Sequence, residues 1–108
     1  MRIYVAGAMT GLPLLNYPAF HAAAAKLRGL GHEVQNPAEN TPPSCGTWLG
    51  WMRLGVTQLA QCDAIYMLPG WERSKGAKVE HQLACGMGLA VLYATVAPME
   101  WPLQDTKQ

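Results

Sequence analysis

Residues 72–80 read Glu-Arg-Ser-Lys-Gly-Ala-Lys-Val-Glu, and five of the formal charges of a chain with only eight basic and seven acidic side chains fall there. Ser74 and Gly76 stand where a helix would start. Free N–H groups and the positive end of the helix dipole suit an anion at such a place, and Arg73, Lys75 and Lys78 would add charge. The same residues also describe a serine N-cap followed by solvated lysines. Glu80 is more demanding. It follows Gly76 by one helical turn and shares a face with Leu83, Ala84 and Met87, the face that should pack on a sheet. Buried carboxylates are rare unless paired or functional. Three readings stay open: chemistry, an ion pair with Arg53, or a first-turn carboxylate that complements the dipole.

The second candidate is the loop Ala6-Gly7-Ala8-Met9-Thr10-Gly11. Glycines directly after a first strand let the backbone approach a ligand closely, or they simply make a tight turn. The loop is neither G-x-G-x-x-G nor a Walker A motif, and no acidic residue closes the second strand, so nicotinamide and ATP readings are weak. Asp63 opens a strand after Cys62, where position alone favours a helix-terminating role. His21, His32 and His81 show no metal-ligand spacing, and no nucleophile elbow occurs. No metal and no cofactor are expected. The Trp48/Trp51 stripe reads as core or interface before it reads as a stacking platform.

These residues need a scaffold, and the chain supplies alternating strands and helices. Arg2 to Ala6 is a β-branched and aromatic run ending at Gly7, a buried first strand. Asn16 is placed to cap a helix with Pro18 in its first turn; Tyr17, Phe20, Ala24 and Leu27 share its apolar face, and Gly29 and Gly31 end it. His32–Gln35 is a second strand closed by Asn36-Pro37. Thr47 can cap a second helix, on which Trp48, Trp51, Met52, Gly55, Val56 and Leu59 follow helical spacing. Asp63–Leu68 is a third strand, a third helix runs from about Gly76 to Met87, and Leu89–Tyr93 is a fourth strand. This order predicts a single-domain, Rossmann- or flavodoxin-like α/β three-layer sandwich. Its parallel sheet has four or five strands in order 2-1-3-4, with helices on both faces. Ligands in such sheets sit beyond the carboxyl ends of the strands, here the loops after Ala6, Gln35 and Leu68. The domain is expected over residues 1–97, with 98–108 a peripheral tail in which Trp101 could anchor or meet a partner.

Composition excludes several classes. Half of the 108 residues are hydrophobic and 14% are charged, which is not a disordered chain. A net charge of +1 offers no footprint for a nucleic-acid polymer. The N-terminal apolar run is interrupted by Gly7 and Gly11 and is too short for a signal core or a membrane span. Three cysteines, an odd number with no C-x-x-C pair, suggest neither a disulfide framework nor a zinc site but reduced, cytoplasmic thiols. Sparse charge also favours self-association.

Residues 2–92 resemble the nucleoside 2-deoxyribosyltransferase superfamily, most closely a small phage- and prophage-associated branch. The segments that carry the resemblance are Ile3–Gly11, Asn16–Phe20, Gly31–Val34 with Asn36-Pro37, Cys62-Asp63, Leu68–Glu72, and Ser74, Gly76, Ala77 and Glu80. The Ser-x-Gly-x-x-x-Glu form is similar to the deoxynucleoside 5′-monophosphate N-glycosidases, in which the serine region holds the phosphate. The resemblance implies a small-molecule nucleoside or nucleotide substrate, cleavage or transfer at the N-glycosidic bond, and a homodimer or larger homo-oligomer. It implies Glu80 as nucleophile, Tyr4 as the group orienting it, and Asp63 as a further active-site acid. Candidate substrate- and phosphate-binding residues are Gly7, Met9, Thr10 and Gly11 in the first loop and Trp71, Glu72, Ser74 and Gly76 in the second. A non-catalytic nucleotide-binding module on the same fold is the main alternative. A flavodoxin-like flavin protein is disfavoured, because the first loop lacks a Ser/Thr-rich phosphate cradle.

Overall fold

A computed structural model describes residues 1–94. The expected tail, with Trp101, and the last residues of the expected domain lie outside the described residues. The elements alternate as expected: β1 (Arg2–Ala6), α1 (Tyr17–Gly29), β2 (Glu33–Gln35), α2 (Trp48–Leu59), β3 (Ala64–Met67), α3 (Lys75–Gly86) and β4 (Ala90–Tyr93). Short 3-10 turns at Pro13–Asn16, Pro37–Glu39 and Trp71–Arg73 precede or link them. Among the described residues the sheet has four strands, all parallel, in the order β2-β1-β3-β4.

The central strands β1 and β3 are buried on both faces, which is why they read as continuous apolar runs. Side chains alternate across the sheet. Ile3 and Val5 join Ala64, Tyr66 and Leu68 under Phe20, Ala23 and Leu27 of α1. Tyr4 and Ala6 join Ile65 and Met67 on the opposite face, under Leu59 at the end of α2 and Ala77 and Ala84 of α3. Tyr4 therefore points to the layer that carries α2 and α3, and the period-two rule decides it.

Thr47 and Ser74 cap α2 and α3 as expected, accepting from the N–H groups of Gly50 and Ala77. Asn16 departs from expectation. It occupies the cap position of α1, but its side chain makes no capping bond. Leu14, Leu15 and Asn16 are all left-handed, at φ of 52°, 53° and 61°. That turn carries the chain into α1, and the Asn16 amide donates instead to the Ala8 carbonyl, 3.0 Å away. The residue thus ties down the β1–α1 loop rather than the helix. Among the described residues no helix is long and apolar enough to cross a membrane.

Candidate active site

Two elements bring the central pair of side chains together. Tyr4 lies mid-strand in β1, in register with Gln35 of β2 and Ile65 of β3, and is 1% exposed. Glu80 lies one turn and a half into α3 on the face that packs against the sheet, and is 8% exposed. The Tyr4 hydroxyl donates to Glu80 Oε2 at 2.6 Å. The ion pairs among the described residues are Arg2–Glu33 and Arg28–Glu39, so Arg53 does not neutralise Glu80. Burial pushes the Glu80 carboxyl up to about 7, although the phenol's hydrogen bond pulls the other way. Burial and the neighbouring carboxylate both raise the Tyr4 phenol well above its ordinary range, so it remains a donor. α2 closes the pair from above at Gly55, whose missing side chain faces both oxygens.

The pair lines a cleft of about 310 Å³ at the carboxyl end of β1. Gly7, Met9 and Thr10 of the first loop form one wall, and Ser74 and Gly76 at the start of α3 form another. Trp48, Trp51 and Met52 of α2 supply an aromatic and thioether side. Tyr17 and Asn40 also line it, the Asn40 amide held by a reciprocal pair of 2.8 Å hydrogen bonds with Gln58. The Lys75 ammonium sits 4.5 Å from the centre of the exposed Trp48 ring, joining the starts of α2 and α3. Such a cleft, mostly apolar with a few convergent polar groups, has the form of a small-ligand site. Among the described residues no group of three His, Cys, Asp or Glu side chains could hold a metal ion.

The structure brings together Tyr4, Glu80, Gly7, Met9, Thr10, Ser74 and Gly76. It does not bring in the other candidates. Gly11 is an exposed turn glycine at φ 83°. Trp71 stacks on His81 at 4.4 Å between ring centres, outside the cleft, and Glu72 is exposed beside it. Asp63 is exposed just before β3, at the amino end of the sheet, where its Oδ2 accepts from the Arg2 N–H at 2.9 Å. It neither reaches the cleft nor lines it, because the residue before a parallel strand lies at the end opposite to the ligand crevice. Gly7 also carries a packing reason: a Cβ there would lie 2.9 Å from the Leu68 Cβ, so the close approach is to the residue that follows β3 rather than only to a ligand.

Trp48, Trp51, Met52, Tyr17, Asn40 and Gly55 were missed as site residues. Helical spacing marks the α2 stripe as inward-facing but does not distinguish a core from a cleft wall. Gly55 did carry a signal, because a glycine in a helix interior disfavours the helix unless a close approach needs it.

Fold and site define a class: a doubly wound α/β protein with a small-ligand cleft at the carboxyl edge of its sheet and a carboxylate–phenol pair in its wall. Residues 1–93 match the model of a domain of unknown function, DUF4406, and the chain belongs to that family. No curated protein matches the chain.

Proposed function

We propose that the chain cleaves, or transfers the sugar across, the N-glycosidic bond of a 2′-deoxynucleoside or its 5′-monophosphate, with Glu80 as nucleophile. One observation carries the reading: a buried carboxylate, with no cation paired to it among the described residues and held at 2.6 Å by a neutral phenol, lines a cleft sized for a small ligand. Burial of this kind costs stability and is tolerated where the group has work to do. The resemblance to the nucleoside 2-deoxyribosyltransferase superfamily assigns the same two residues the same roles.

Breaking a C1′–N bond places positive charge on the sugar. An ionised Glu80 oxygen stabilises that charge and then bonds to C1′, while the bond's electron pair leaves with the base, which takes up a proton from water. Water, or the nitrogen of a second base, then attacks C1′, its proton passes to the hydroxide left by the first step, and Glu80 departs as a carboxylate. Tyr4 holds one carboxylate oxygen so that the reaction begins from a fixed geometry. Trp48 and Trp51 offer aromatic faces for the base. The start of α3 at Ser74 and Gly76, with Lys75 nearby, suits a 5′-phosphate. The reading also includes a cytoplasmic protein with reduced thiols. Self-association is part of it too, supported by exposed Leu14, Leu15, Trp48 and Leu49.

A second reading, a nucleotide-binding module without turnover, is favoured by one observation: among the described residues Glu80 is the one carboxylate lining the cleft, and Asp63 lies at the far end of the sheet. Incubation with the four 2′-deoxynucleosides and their 5′-monophosphates, read by chromatography, separates the two. Release of free base, lost in Glu80→Gln, supports catalysis. Tight binding without release, unaltered in Glu80→Gln, supports the module.

A further inference from the structure

Gly55 stands in the interior of α2, and its backbone gives no reason for a glycine: the helix runs unbroken and its φ is not positive. Glycine is among the poorest residues for such a position. What distinguishes Gly55 is the space before it. A Cβ built there falls 2.6 Å from the Tyr4 hydroxyl oxygen and 2.7 Å from Glu80 Oε2, with Tyr4 Cζ next at 3.7 Å. Both close contacts are to the two ends of one hydrogen bond. By contrast, among the described residues a Cβ on Gly29 or Gly86 would meet nothing within 4 Å.

We infer that Gly55 is a positioning residue for this site, its missing side chain allowing the phenol and the carboxylate to share one hydrogen bond beneath α2. The inference rests on the proposed function for its effect on turnover, and on geometry alone for its effect on the pair. Tyr4 has nowhere to retreat, being a buried residue of a strand paired on both sides. Glu80 has side-chain torsions to spare. A methyl group at position 55 therefore displaces the carboxylate and lengthens or breaks the bond. Tyr4 is the titratable group that faces Glu80 from β1, α2 presents Gly55 there, and no ion pair within α3 involves Glu80. Losing the phenol's bond and adding a methyl against the carboxylate both disfavour its ionised form.

The test compares Gly55→Ala with Gly86→Ala, which makes the same backbone change in open space. The side-chain carboxyl of Glu80 is titrated by carbon-13 NMR in the ligand-free chain, and folding is checked by circular dichroism. Gly55→Ala is expected to raise the Glu80 midpoint by about half a unit or more. With a deoxynucleoside 5′-monophosphate, base release should fall about ten- to a hundred-fold in kcat with little change in KM. Gly86→Ala should move neither. On a Tyr4→Phe background the Gly55→Ala shift should shrink, since the bond it disturbs is already gone. If Gly55→Ala does not fold, Tyr4→Phe should restore folding by removing the nearer of the two clashing atoms. An unchanged midpoint in folded Gly55→Ala, a shift of equal size on the Tyr4→Phe background, or failure of the double variant to fold would overturn the inference. A wild-type chain that releases no base from any substrate would sink the proposed function while leaving the titration to decide about Gly55.

Discussion

The amino end and the middle of one strand hold carboxylates in opposite circumstances. At the amino end of β1, Arg2 donates through its backbone N–H to Asp63 and through its guanidinium to Glu33 and the Gln61 carbonyl, all in exposed surroundings. Two residues along, mid-strand, Tyr4 gives Glu80 a single neutral hydrogen bond in near-complete burial. Exposed to solvent, Asp63 takes a backbone N–H and Glu33 a guanidinium, at little energetic consequence. Glu80 is held where ionisation is disfavoured, and its carboxyl is pushed up to about 7. A charge that the fold leaves costly is available to be offset by a cationic partner, and a developing sugar cation is such a partner.

The largest test of that contrast is activity. Glu80→Gln should lower base release on the order of a thousand-fold or more, as expected for removal of a nucleophile. Asp63→Asn should leave kcat/KM within about threefold, since surface changes away from a site act weakly. Steady-state rates on the same deoxynucleoside monophosphate measure both. A loss at Asp63 as large as that at Glu80 would break the comparison and return Asp63 to the active site.

The resemblance groups Asp63 with Glu80 in one active site, whereas position alone favours a helix-terminating role for Asp63, and the structure sets the two apart. The period of two in a strand separates Tyr4 and Ala6 from Ile3 and Val5, and helical spacing puts Glu80 on the buried face of α3 with Ala84, although Leu83 and Met87, expected on that face, are exposed. The βα repeat implies a parallel sheet, and the order 2-1-3-4 is that of the flavodoxin-like folds it resembles. None of these periodicities tells which end of a strand a flanking residue occupies relative to a cleft; chain direction does, and Asp63 precedes β3 whereas the site lies beyond the strands' carboxyl ends. The cleft walls were less legible still. Trp48 and Trp51 obey the same spacing whether they fill a core or line a cavity, and the left-handed turn at Leu14–Asn16 has no glycine to announce it.

Stability should show the same asymmetry as a function of pH. In the unfolded chain Glu80 ionises near its ordinary value, about 4.5, and in the folded chain at about 7. The folded chain thus binds more protons between those values, so this group's contribution falls as pH rises through that window and stays low above it. The full effect is roughly 3 kcal/mol. Glu80→Gln removes the charge and keeps an acceptor for Tyr4. Its melting temperature relative to wild type should therefore rise between pH 4.5 and 8, by about ten degrees at the upper end. A difference that is flat with pH would mean that Glu80 is not ionised at a cost in the folded state.

Tyr4→Phe sharpens the contrast from the other partner. Without the phenol, Glu80 keeps its burial but loses the bond that favours its charge, so its midpoint moves higher. Because a nucleophile must be ionised, kcat/KM should rise with pH through about 7 in the wild type, and later in Tyr4→Phe. At neutral pH the variant should lose roughly ten- to a hundred-fold in rate, as for a misaligned reacting group. A profile that moves to lower pH would show that Tyr4 opposes ionisation instead of supporting it.

The smallest expected effect lies at the amino end. Arg2 Nε donates to Glu33 Oε1 at 3.1 Å, with the Glu33 side chain 76% exposed. Replacing Glu33 with Gln leaves an acceptor in place and removes a charge that water already screens. Its melting temperature should differ little from wild type at low salt, and the difference should vanish at molar salt, where a charge pair interacts over only a few ångströms, about 3 Å. The Glu80→Gln difference should survive the same salt, because bulk ions do not enter the space between Tyr4, Gly55 and α3. If salt erased both differences equally, Glu80 would be as accessible to solvent as Glu33, and burial would no longer explain why its carboxyl is held neutral so far up the pH scale.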